Sequence, residues 1–463
     1  MAEKTMIMEA TLRKLLDEKK YATLRDILVT MNPSDIASIM DNLEVERLPL
    51  LYRLLPKELA ADTFVEMDPD AQELLIRGFS DSELKEVLDE LFVDDAVDII
   101  EEMPATVVRR ILEQAAPEMR KSINEILRYP ENSAGSIMTT EYVPLKPNMT
   151  VAEAITRIRR TGIDKETIYT CYVIKDRYLL GVVTVKDLLL CTDDDTKIEE
   201  VMIDHVISVN THDDQEEVAQ MFSKYNFMAL PVVDTENRLV GIITFDDAMD
   251  VMEEEATEDI EKMAAIIPSE KPYMSMTPFE IWKNRIPWLM LLMVSATFTG
   301  IIISHFESAL SKLVILTAFI PMLMDTAGNS GSQASVTIIR GLSLNELAFS
   351  DILQIVWKEA RVAVLCGVSL AVACFGKILL VDYLILGSFS EITMASPLMI
   401  IGVICITLAI TVLFAKVVGC SLPLFAKKLG FDPAVMASPF ITTIVDALSL
   451  LVYFGVASIF LPI

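Results

Sequence analysis

A carboxylate inside an apolar stretch is the residue best placed to do chemistry near the end of this sequence. Asp446 lies within the apolar run that ends at Phe460, roughly three to four turns from either end of the helix that the run predicts. Burying a lone carboxylate in mid-membrane costs about 3 kcal/mol or more, so such a residue usually has a function. Ser438 and Thr442 precede it at spacings of four, so the three side chains share one helix face and predict a polar stripe. Pro439 is expected to free a backbone carbonyl one turn earlier, which adds an oxygen.

A second polar stretch interrupts an apolar run earlier in the chain. The run stops at Met324 and gives way to Asp-Thr-Ala-Gly-Asn-Ser-Gly-Ser-Gln at 325–333. Residues of this kind at membrane depth are expected to face protein or a water-filled path, because their backbone groups would be unsatisfied in lipid. Asp325 and Asn329 are therefore weaker candidates for the same path. Two alternatives stay open: the Gly and Ser residues permit close helix packing, and Asp325 pairs with Arg340.

Acidic residues are concentrated in the first part of the chain. The formal net charge is −28; residues 272–463 contain ten acidic and ten basic residues, which leaves 57 acidic and 29 basic residues in 1–271. Such a surface repels nucleic acid and anionic lipid and attracts cations, so metal ions are expected as partners and nucleic acid is not. A merely solvated acidic surface is the alternative. The six cysteines, none in CxxC spacing, are expected to be core residues.

Membrane helices are the elements that must position the late aspartate. Apolar runs near 20 residues cross a hydrocarbon core of about 30 Å, and five spans are predicted in a lipid bilayer, at 286–305, 309–324, 362–386, 397–418 and 433–460. Residues 1–20 are charged and lack the apolar segment of a leader, so the first half is expected in the cytosol. Positive residues then fall in the inside loops, at Arg340, Lys358, Arg361, Lys427 and Lys428. Only Lys312 falls outside, which favours a multi-pass inner-membrane protein with its C-terminus outside.

Two repeating patterns fill the cytosolic part. Residues 22–128 are typical of short helices opened by Pro, Ser or Asp signals, such as Asn-Pro-Ser-Asp at 32–35, and stacked short helices form an α-solenoid. From residue 136 to about 252, β-branched runs alternate with helices in a unit that recurs after about sixty residues. The copies end in Thr-Val-Lys-Asp at 184–187 and Thr-Phe-Asp-Asp at 244–247, and they resemble a tandem pair of CBS domains. An acidic helix from Ala248 to about Ile267 is expected to link them to the membrane part.

Taken in order, these parts resemble the MgtE family of magnesium channels over essentially the whole chain. The shared features are an acidic helical N domain, paired CBS domains, an acidic connecting helix, and five spans with a Gly-Asn-Ser-Gly-Ser-Gln stretch and a late aspartate. The resemblance implies a multidomain protein. Its parts are an α-solenoid N domain at 1–130, an α/β tandem CBS pair at 136–252, a connecting helix at 253–280, and an all-α membrane domain with five transmembrane helices at 281–463.

The resemblance also implies a homodimer whose twofold axis places two copies of Asp446 at one Mg²⁺ pore. Mg²⁺ dehydrates reluctantly and prefers oxygen ligands, which suits two carboxylates with hydroxyls such as those of Ser438 and Thr442 as further partners. Family members are held closed when cytosolic Mg²⁺ bridges the N domain, the CBS pair and the connecting helix. Crowded carboxylates repel one another without ions and become ligands with them.

The sensor ligands are carried over from the family's acidic positions. The closest matches, on the second CBS copy and the connecting helix, are Asp247, Asp250, Glu255, Glu258 and Asp259. Asp94 and Asp95 from the N domain and Asp214 and Glu216 from the CBS pair are added to them. Asn226 stands where family members can carry another acid, which puts one ligand in doubt.

CBS pairs often bind adenine nucleotides through an aspartate that follows a Thr or Ser and holds the ribose hydroxyls. Thr184 with Asp187 has this spacing, as does Thr244 with Asp247. The first copy is preferred as an ATP site because Lys186 adds a positive charge toward phosphate. A CBS pair that binds no nucleotide is the open alternative.

An enzyme is not expected from this sequence. Only His205, His212 and His305 are present, and no HExxH, P-loop or GxSxG motif occurs, so a membrane protease with a CBS regulator lacks its parts. Two further functions stay open: a CBS-regulated transporter of another cation, such as Co²⁺ or an organic cation, and a non-transporting sensor. The buried Asp446 argues against the sensor.

Overall fold

The computed structural model describes residues 2–269, 271, 273–388, 396–436 and 438–461 of the 463-residue chain. It contains two compact units, Met1–Met252 and Glu253–Ile463. Helices and two small sheets make up the first unit, and helices alone make up the described part of the second. The predicted multidomain class is thereby confirmed, with a correction to the membrane spans.

The first unit opens with short stacked helices, as the start signals predict. Asn32 accepts the N–H of Ser34 at 3.0 Å to cap α3, and Ser80 and Glu83 form a capping box on α7. Leu24, Ile36 and other fully buried side chains form the core between the helices. The ten helices are α1 (Ala2–Asp17), α2 (Tyr21–Leu28), α3 (Pro33–Asp41), α4 (Leu48–Tyr52), α5 (Lys57–Val65), α6 (Pro69–Gly78), α7 (Asp81–Leu88), α8 (Val93–Glu102), α9 (Ala105–Gln114) and α10 (Pro117–Ile126).

Two three-stranded sheets with the same order follow, one for each predicted CBS copy. In each sheet the first strand pairs in parallel with the second, which pairs antiparallel with the third. The first copy contains β1 (Pro144–Leu145), α11 (Val151–Thr161), β2 (Thr170–Lys175), β3 (Tyr178–Thr184) and α12 (Val185–Leu190). The second contains α13 (Ile198–Val201), β4 (Val209–Asn210), α14 (Gln215–Tyr225), β5 (Ala229–Val233) and β6 (Leu239–Thr244).

The two copies exchange their leading segments. Thr139 bridges to Ile242 of the second copy, and Ile203 bridges back to Val182 of the first. A Cβ at Gly241 would lie 2.7 Å from the Thr139 carbonyl oxygen, so this crossing needs glycine. Helix α8 packs into the same hydrophobic cluster as β5 and β6, so the solenoid and the second copy share one core.

The acidic connecting helix, α15, runs from Phe245 to Met263 and therefore begins directly after β6. Sequence reasoning placed it from Ala248 to about Ile267, three residues too late at its start. The Thr-Phe-Asp-Asp segment that ends the strand also starts the helix, because the Thr244 side chain bonds Asp247 in its first turn. The helix therefore continues the second CBS copy into the second unit without a break.

The second unit contains α16 (Pro278–His305), α17 (Glu307–Lys312), α18 (Ile320–Ser343), α19 (Ile352–Lys377), α20 (Pro397–Lys428) and α21 (Ser438–Phe460). Within the described residues, four helical segments are long and apolar enough to cross a membrane: Pro278–His305, Phe349–Ile385, Pro397–Lys428 and Pro433–Phe460. These four correspond to the first, third, fourth and fifth predicted spans.

The predicted second span at 309–324 is wrong in its bounds. Residues there form the short α17, a 3₁₀ turn at Val314–Phe319 and only the start of α18. The polar stretch from Asp325 lies inside the 24 residues of α18, which is about 36 Å long. The Gly and Ser residues are compatible with a helix here because they allow close packing against neighbouring helices. The polar residues of the stretch also make α18 less apolar than the four other segments.

Close contacts between α18, α20 and α21 hold the centre of this unit. A Cβ at Gly331 would lie 3.1 Å from the Ala415 carbonyl oxygen, and a Cβ at Gly419 would overlap the Gly331 carbonyl. One turn earlier in α18, Gly328 lies against Thr442 of α21. These glycines fix how α18 presents its polar residues to α21.

Candidate ion path and cation-sensing cluster

A polar cleft of about 430 Å³ lies between α18 and α21. Asp325 and Asn329 line it from α18, and Thr442 and Asp446 line it from α21. Each pair is separated by four residues, so each presents two polar groups on one helix face. Ile320, Pro321, Met324 and Gly328 complete the lining.

Asp446 lies eight residues after the start of α21, about 12 Å along the helix. The main electrostatic interaction of Asp446 with another charged side chain is repulsion by Asp325. In the described part of the chain, Asp446 forms no ion pair with a basic residue. The alternative pairing of Asp325 with Arg340 is not found, because Arg340 approaches Glu346 at 3.9 Å. Two carboxylates thus line one cleft, and Asp446 has no basic partner among the described residues.

The expectation that Pro439 frees a backbone carbonyl one turn earlier is wrong, because of where α21 begins. Because the helix begins at Ser438, Pro439 lies in its first turn, where its missing N–H removes no bond from the helix interior. The hydroxyls of Thr442 and Thr443 both donate to the Pro439 carbonyl, at 3.0 and 3.1 Å. The side chain of Ser438 lies outside the described residues.

A cluster of carboxylates is buried in the first unit, where the solenoid meets the CBS copies. Asp94 is only 7% exposed, although it is charged in its usual form. Burial, and then Asp247, raises the pKa of Asp94 well above its usual value. The same causes raise the pKa of Asp95 to about 7. Burial raises the pKa of Asp247 to about 6, although its bond from the Thr244 hydroxyl opposes the rise.

Glu141 and Glu166 also belong to this carboxylate cluster, and sequence reasoning missed both. Glu141 accepts the N–H of Val93 at the start of α8, at 3.1 Å, and burial raises its pKa. Burial, and then Asp95, raises the pKa of Glu166 to about 8. Glu166 lies beside Glu141 because its own N–H donates to the Glu141 carbonyl at 3.0 Å. An acidic residue directly after the exchanged segment at Thr139 was the available signal.

Two oxygens of the carboxylate cluster, Asp94 Oδ1 and Glu166 Oε2, are buried without a hydrogen-bond partner. Hard oxygen donors of this kind suit Mg²⁺. Across the described residues, no group of three or more His, Cys, Asp or Glu side chains is already arranged to hold a metal ion. The donor chemistry fits a divalent cation, and the side chains must move closer together to bind one.

Of the other predicted sensor residues in the first unit, Asp250 belongs to this cluster. Asp250 is close enough to Asp247 to help raise its pKa. Asp214 instead caps α14 by accepting the N–H of Glu216 at 2.9 Å, and Asn226 ends that helix in a left-handed conformation.

The end of α15 is held to other parts of the second unit. The Lys262 ammonium lies 2.5 Å from the Glu258 carboxylate and 2.7 Å from the carboxylate of Asp432. Asp432 lies in the loop before α21. Asp259 accepts the hydroxyl of Ser343, at the end of α18, at 3.1 Å. Glu258 and Asp259, predicted as ligands, therefore have partners within the chain, while Glu255 lies half-buried one turn earlier.

The predicted nucleotide residues lie together at the end of β3. The Thr184 hydroxyl donates to Asp187 at 2.5 Å in a capping box on α12. Lys186 lies between them in sequence and is exposed. The Asp187 carboxylate is thus fixed in direction, and Lys186 is free to approach a bound anion.

A helical solenoid, two CBS-type copies and membrane helices around a carboxylate-lined cleft are the parts expected of a membrane transporter of cations. The family models agree: that of MgtE, a divalent cation transporter, matches 320–456; that of the MgtE intracellular N domain matches 31–132; and that of the CBS domain matches 134–192 and 198–254. The chain belongs to the MgtE family.

Relatives match nearly the whole chain. The "Magnesium transporter MgtE" of Thermus thermophilus is 35% identical, with 98% of both chains covered. The protein of the same name from Bacillus subtilis is 31% identical, with 96% of both covered. A crystal structure of the cytosolic domain of the Mg²⁺ channel MgtE in complex with ATP has a TM-score of 0.50 and 37% identity, and covers 52% of this chain and 99% of its own. The soluble part of a magnesium transporter has a TM-score of 0.51 and 31% identity, with 54% and 99% covered.

Proposed function

We propose that this protein is a homodimer that carries Mg²⁺ inward across the inner membrane, and that Mg²⁺ bound to its cytosolic carboxylates closes the path. The observation that carries the proposal is the pair Asp325 and Asp446, which line one cleft from two helices. Relatives that match nearly the whole chain are magnesium transporters, which supports Mg²⁺ as the ion. In this proposal the first unit lies in the cytosol and the C-terminus lies outside.

The oxygen groups that line the cleft suit a hydrated ion. Mg²⁺ keeps several waters because it dehydrates reluctantly, so Asp446 and Asp325 would hold it largely through water. Asn329 and Thr442 supply neutral oxygens beside the carboxylates.

A second copy would close the cleft. Asp325 and Asn329 are exposed in a single chain, so one side of the ion path lacks a wall. Exposed carboxylates on a membrane helix are expensive unless they face water or protein. A homodimer with the two clefts facing one axis satisfies this requirement.

The carboxylate cluster of the first unit is the proposed sensor. Burial, and then the repulsion between its members, raises their pKa values, and a divalent cation would convert this repulsion into attraction. Asp247 lies in the first turn of α15, so a change in the cluster acts directly on the helix that leads to the second unit. The proposed ligands are Asp94, Asp95, Asp247 and Asp250, together with Glu141 and Glu166.

ATP is proposed as a further ligand of the first CBS copy. The related cytosolic domain was crystallised with ATP. Asp187, oriented by Thr184, would accept ribose hydroxyls, and Lys186 would approach the phosphates. Nucleotide binding at Thr184 and Asp187 would leave Asp247 of the carboxylate cluster free for cations.

Uptake into proteoliposomes tests the proposed path. Asp446→Asn keeps the shape of the side chain and removes its charge, so Mg²⁺ uptake is expected to fall by about tenfold or more. Glu307→Gln, at an exposed position between α16 and α18, is the control and is expected to transport normally. Equal uptake by Asp446→Asn and the unmodified protein would remove Asp446 from the path. Uptake blocked by an organic cation but indifferent to Mg²⁺ would overturn the ion assignment.

A further inference from the structure

A buried lysine lies inside the membrane part of the second unit. Lys416 is 5% exposed, and Asp94 and Lys416 are the only buried charged residues in the described part of the chain. Lys416 lies in α20, twelve residues or about 18 Å before the end of that helix at Lys428. A charge at this depth is expensive, so its partner and its surroundings require a functional account.

The partner of Lys416 is Glu359 on the neighbouring helix α19. The Lys416 Nζ and Glu359 Oε2 atoms are 3.8 Å apart. The Lys416 side chain is 7% exposed and the Glu359 side chain is 16% exposed. The pair is therefore nearly closed to solvent, and its two charges cancel within the protein. Buried pairs of this kind are weak devices for stability, because the loss of water by both ions offsets their attraction.

The depth of the pair can be located relative to the ion path. The carbonyl oxygen of Ala415, the residue before Lys416, lies against Gly331 of α18. Gly331 follows Asn329 of the cleft by two residues, or about 3 Å along α18. The pair thus lies at nearly the depth of the cleft, displaced toward the end of α18 that carries Arg340. This is the proposed cytosolic side.

We propose that Glu359 and Lys416 form a charge-balancing pair that sets the electrostatic potential at the cytosolic exit of the ion path. This inference rests on the proposed function. Lys416 alone would place a fixed positive charge beside a path for divalent cations and repel them. Glu359 alone would add a carboxylate to the two of the cleft, Asp325 and Asp446, and hold the ion too long. The paired state is neutral, so the ion meets the cleft carboxylates and then leaves.

Single and double substitutions separate this role from a structural one. Glu359→Gln leaves the ammonium unpaired, so the Mg²⁺ concentration for half-maximal uptake is expected to rise by about threefold or more, with a lower maximal rate. Lys416→Met leaves the carboxylate unpaired, so that concentration is expected to fall by about threefold and the maximal rate to fall as well. Opposite changes from two partners of one ion pair are not produced by a loss of packing alone.

The double variants complete the test in the full-length protein in proteoliposomes. Glu359→Gln with Lys416→Met is neutral, and Glu359→Lys with Lys416→Glu is a charge swap; both are expected to return half-saturation to within about twofold of the original. Lys377 and Asp382 provide the matched control. They pair at 2.8 Å near the other end of α19, where Lys377 is half exposed, and Lys377→Met is expected to change half-saturation less than twofold.

The proposal is overturned if both single variants shift half-saturation in the same direction, or if neither shifts it. It is also overturned if the neutral double variant still differs from the original protein. If a single variant does not fold, a double variant whose half-saturation differs from the original by more than twofold still overturns the proposal. The separate role of Asp446 has its own readout: loss of uptake in Asp446→Asn with unchanged kinetics in the pair variants refutes the charge-balancing pair and leaves the transport function standing.

Discussion

Asp94 illustrates what burial does to a single carboxylate in this protein. Its side chain is 7% exposed, one oxygen has no hydrogen-bond partner, and the nearby Asp247 opposes its ionisation. An ionised group in this position destabilises the fold unless a proton or a cation neutralises it. The residue therefore links the stability of the first unit to its ionic surroundings.

Replacing Asp94 with Asn is expected to stabilise the first unit when divalent ions are chelated. The amide has the shape of the carboxylate without its charge, so the free energy of unfolding should increase by about 1 to 2 kcal/mol. Stabilisation by Mg²⁺ should shrink at the same time, because one ligand is lost. Hydrogen exchange of β5 and β6 in the full-length protein measures both. Glu90→Gln, an exposed acid of the same domain, is the control. A destabilised Asp94→Asn variant in chelator would contradict the expectation.

The raised pKa values also predict a pH dependence. Asp95, Glu166 and Asp247 titrate near 7, 8 and 6 in the folded protein, above the ordinary values near 4 of an unfolded chain. Between about pH 4 and 8 the folded state therefore holds more protons than the unfolded chain, and the free energy of unfolding falls as the pH rises. Saturating Mg²⁺ should abolish or reverse this slope, because it replaces the protons. A rising stability from pH 5 to 8 in chelator, measured by the same exchange, would refute the carboxylate cluster.

At the scale of elements, α15 is attached at its end by three kinds of contact within the second unit. Lys262 joins Glu258 to Asp432, Asp259 accepts from Ser343, and Met263 packs against Ile339 and Ala434. A lysine here performs part of the bridging that was predicted for Mg²⁺ at Glu258. The helix end therefore stays attached without a divalent ion.

Removing the lysine bridge is expected to loosen that attachment. Lys262→Gln should raise Mg²⁺ uptake at low cytosolic-side Mg²⁺ by about two- to threefold, a modest change because the ion pairs are partly exposed. Lys271→Gln breaks a comparable pair with Glu280 ahead of α16 and should leave uptake unchanged. The same rate in both variants and in the original protein would show that the bridge does not restrain transport.

The crossing of α18 and α20 gives a sharp steric prediction. A methyl group at Gly419 would overlap the Gly331 carbonyl, so Gly419→Ala should push the helices apart and destabilise the second unit by about 1 to 3 kcal/mol. Gly402→Ala, in the same helix but with open space around it, should be neutral. Thermal unfolding in detergent compares the two. Equal melting temperatures would mean that the crossing relaxes without cost.

Sequence reasoning succeeded where local pattern determines structure and failed where packing does. The spacing of Thr442 and Asp446 sufficed to place them on one face, and start signals such as Asn32 located helices of the solenoid. Glu166 was missed because its neighbours Asp95 and Asp247 are distant in sequence. Lys416 was missed because a lysine two residues from the end of the predicted span at 397–418 is expected to reach the membrane surface. Helix α20 continues to Lys428 and keeps it inside.

At the scale of the whole molecule, the chain combines two different electrostatic materials. Residues 1–271 carry the entire net charge of −28, and residues 272–463 are neutral overall. Monovalent salt can only screen the repulsion in the first part, whereas divalent ions can bind between carboxylates. The response of the protein to salt should therefore depend on the valence of the cation.

Limited proteolysis of the full-length protein is expected to show this difference. Cleavage within residues 1–252 should slow by about fivefold as Mg²⁺ rises into the millimolar range, because bound ions suppress local opening. KCl at the same ionic strength is the control and should protect far less. Equal protection by the two salts would indicate screening alone and would remove the ion-bound sensor from the mechanism.

The two CBS copies contain the same Thr–Asp hydrogen bond at the end of their last strand. The hydroxyl of Thr184 donates to Asp187, and that of Thr244 donates to Asp247, at the same distance of 2.5 Å. Exposed Lys186 lies beside the first, whereas Asp94 and Asp95 of α8 lie close to the second. The duplicated Thr–Asp hydrogen bond therefore lies in two opposite electrostatic environments. The first favours anions and the second favours cations. Equivalent substitutions in the two copies will therefore have different effects, because the copies share this hydrogen bond but differ in the charged residues around it.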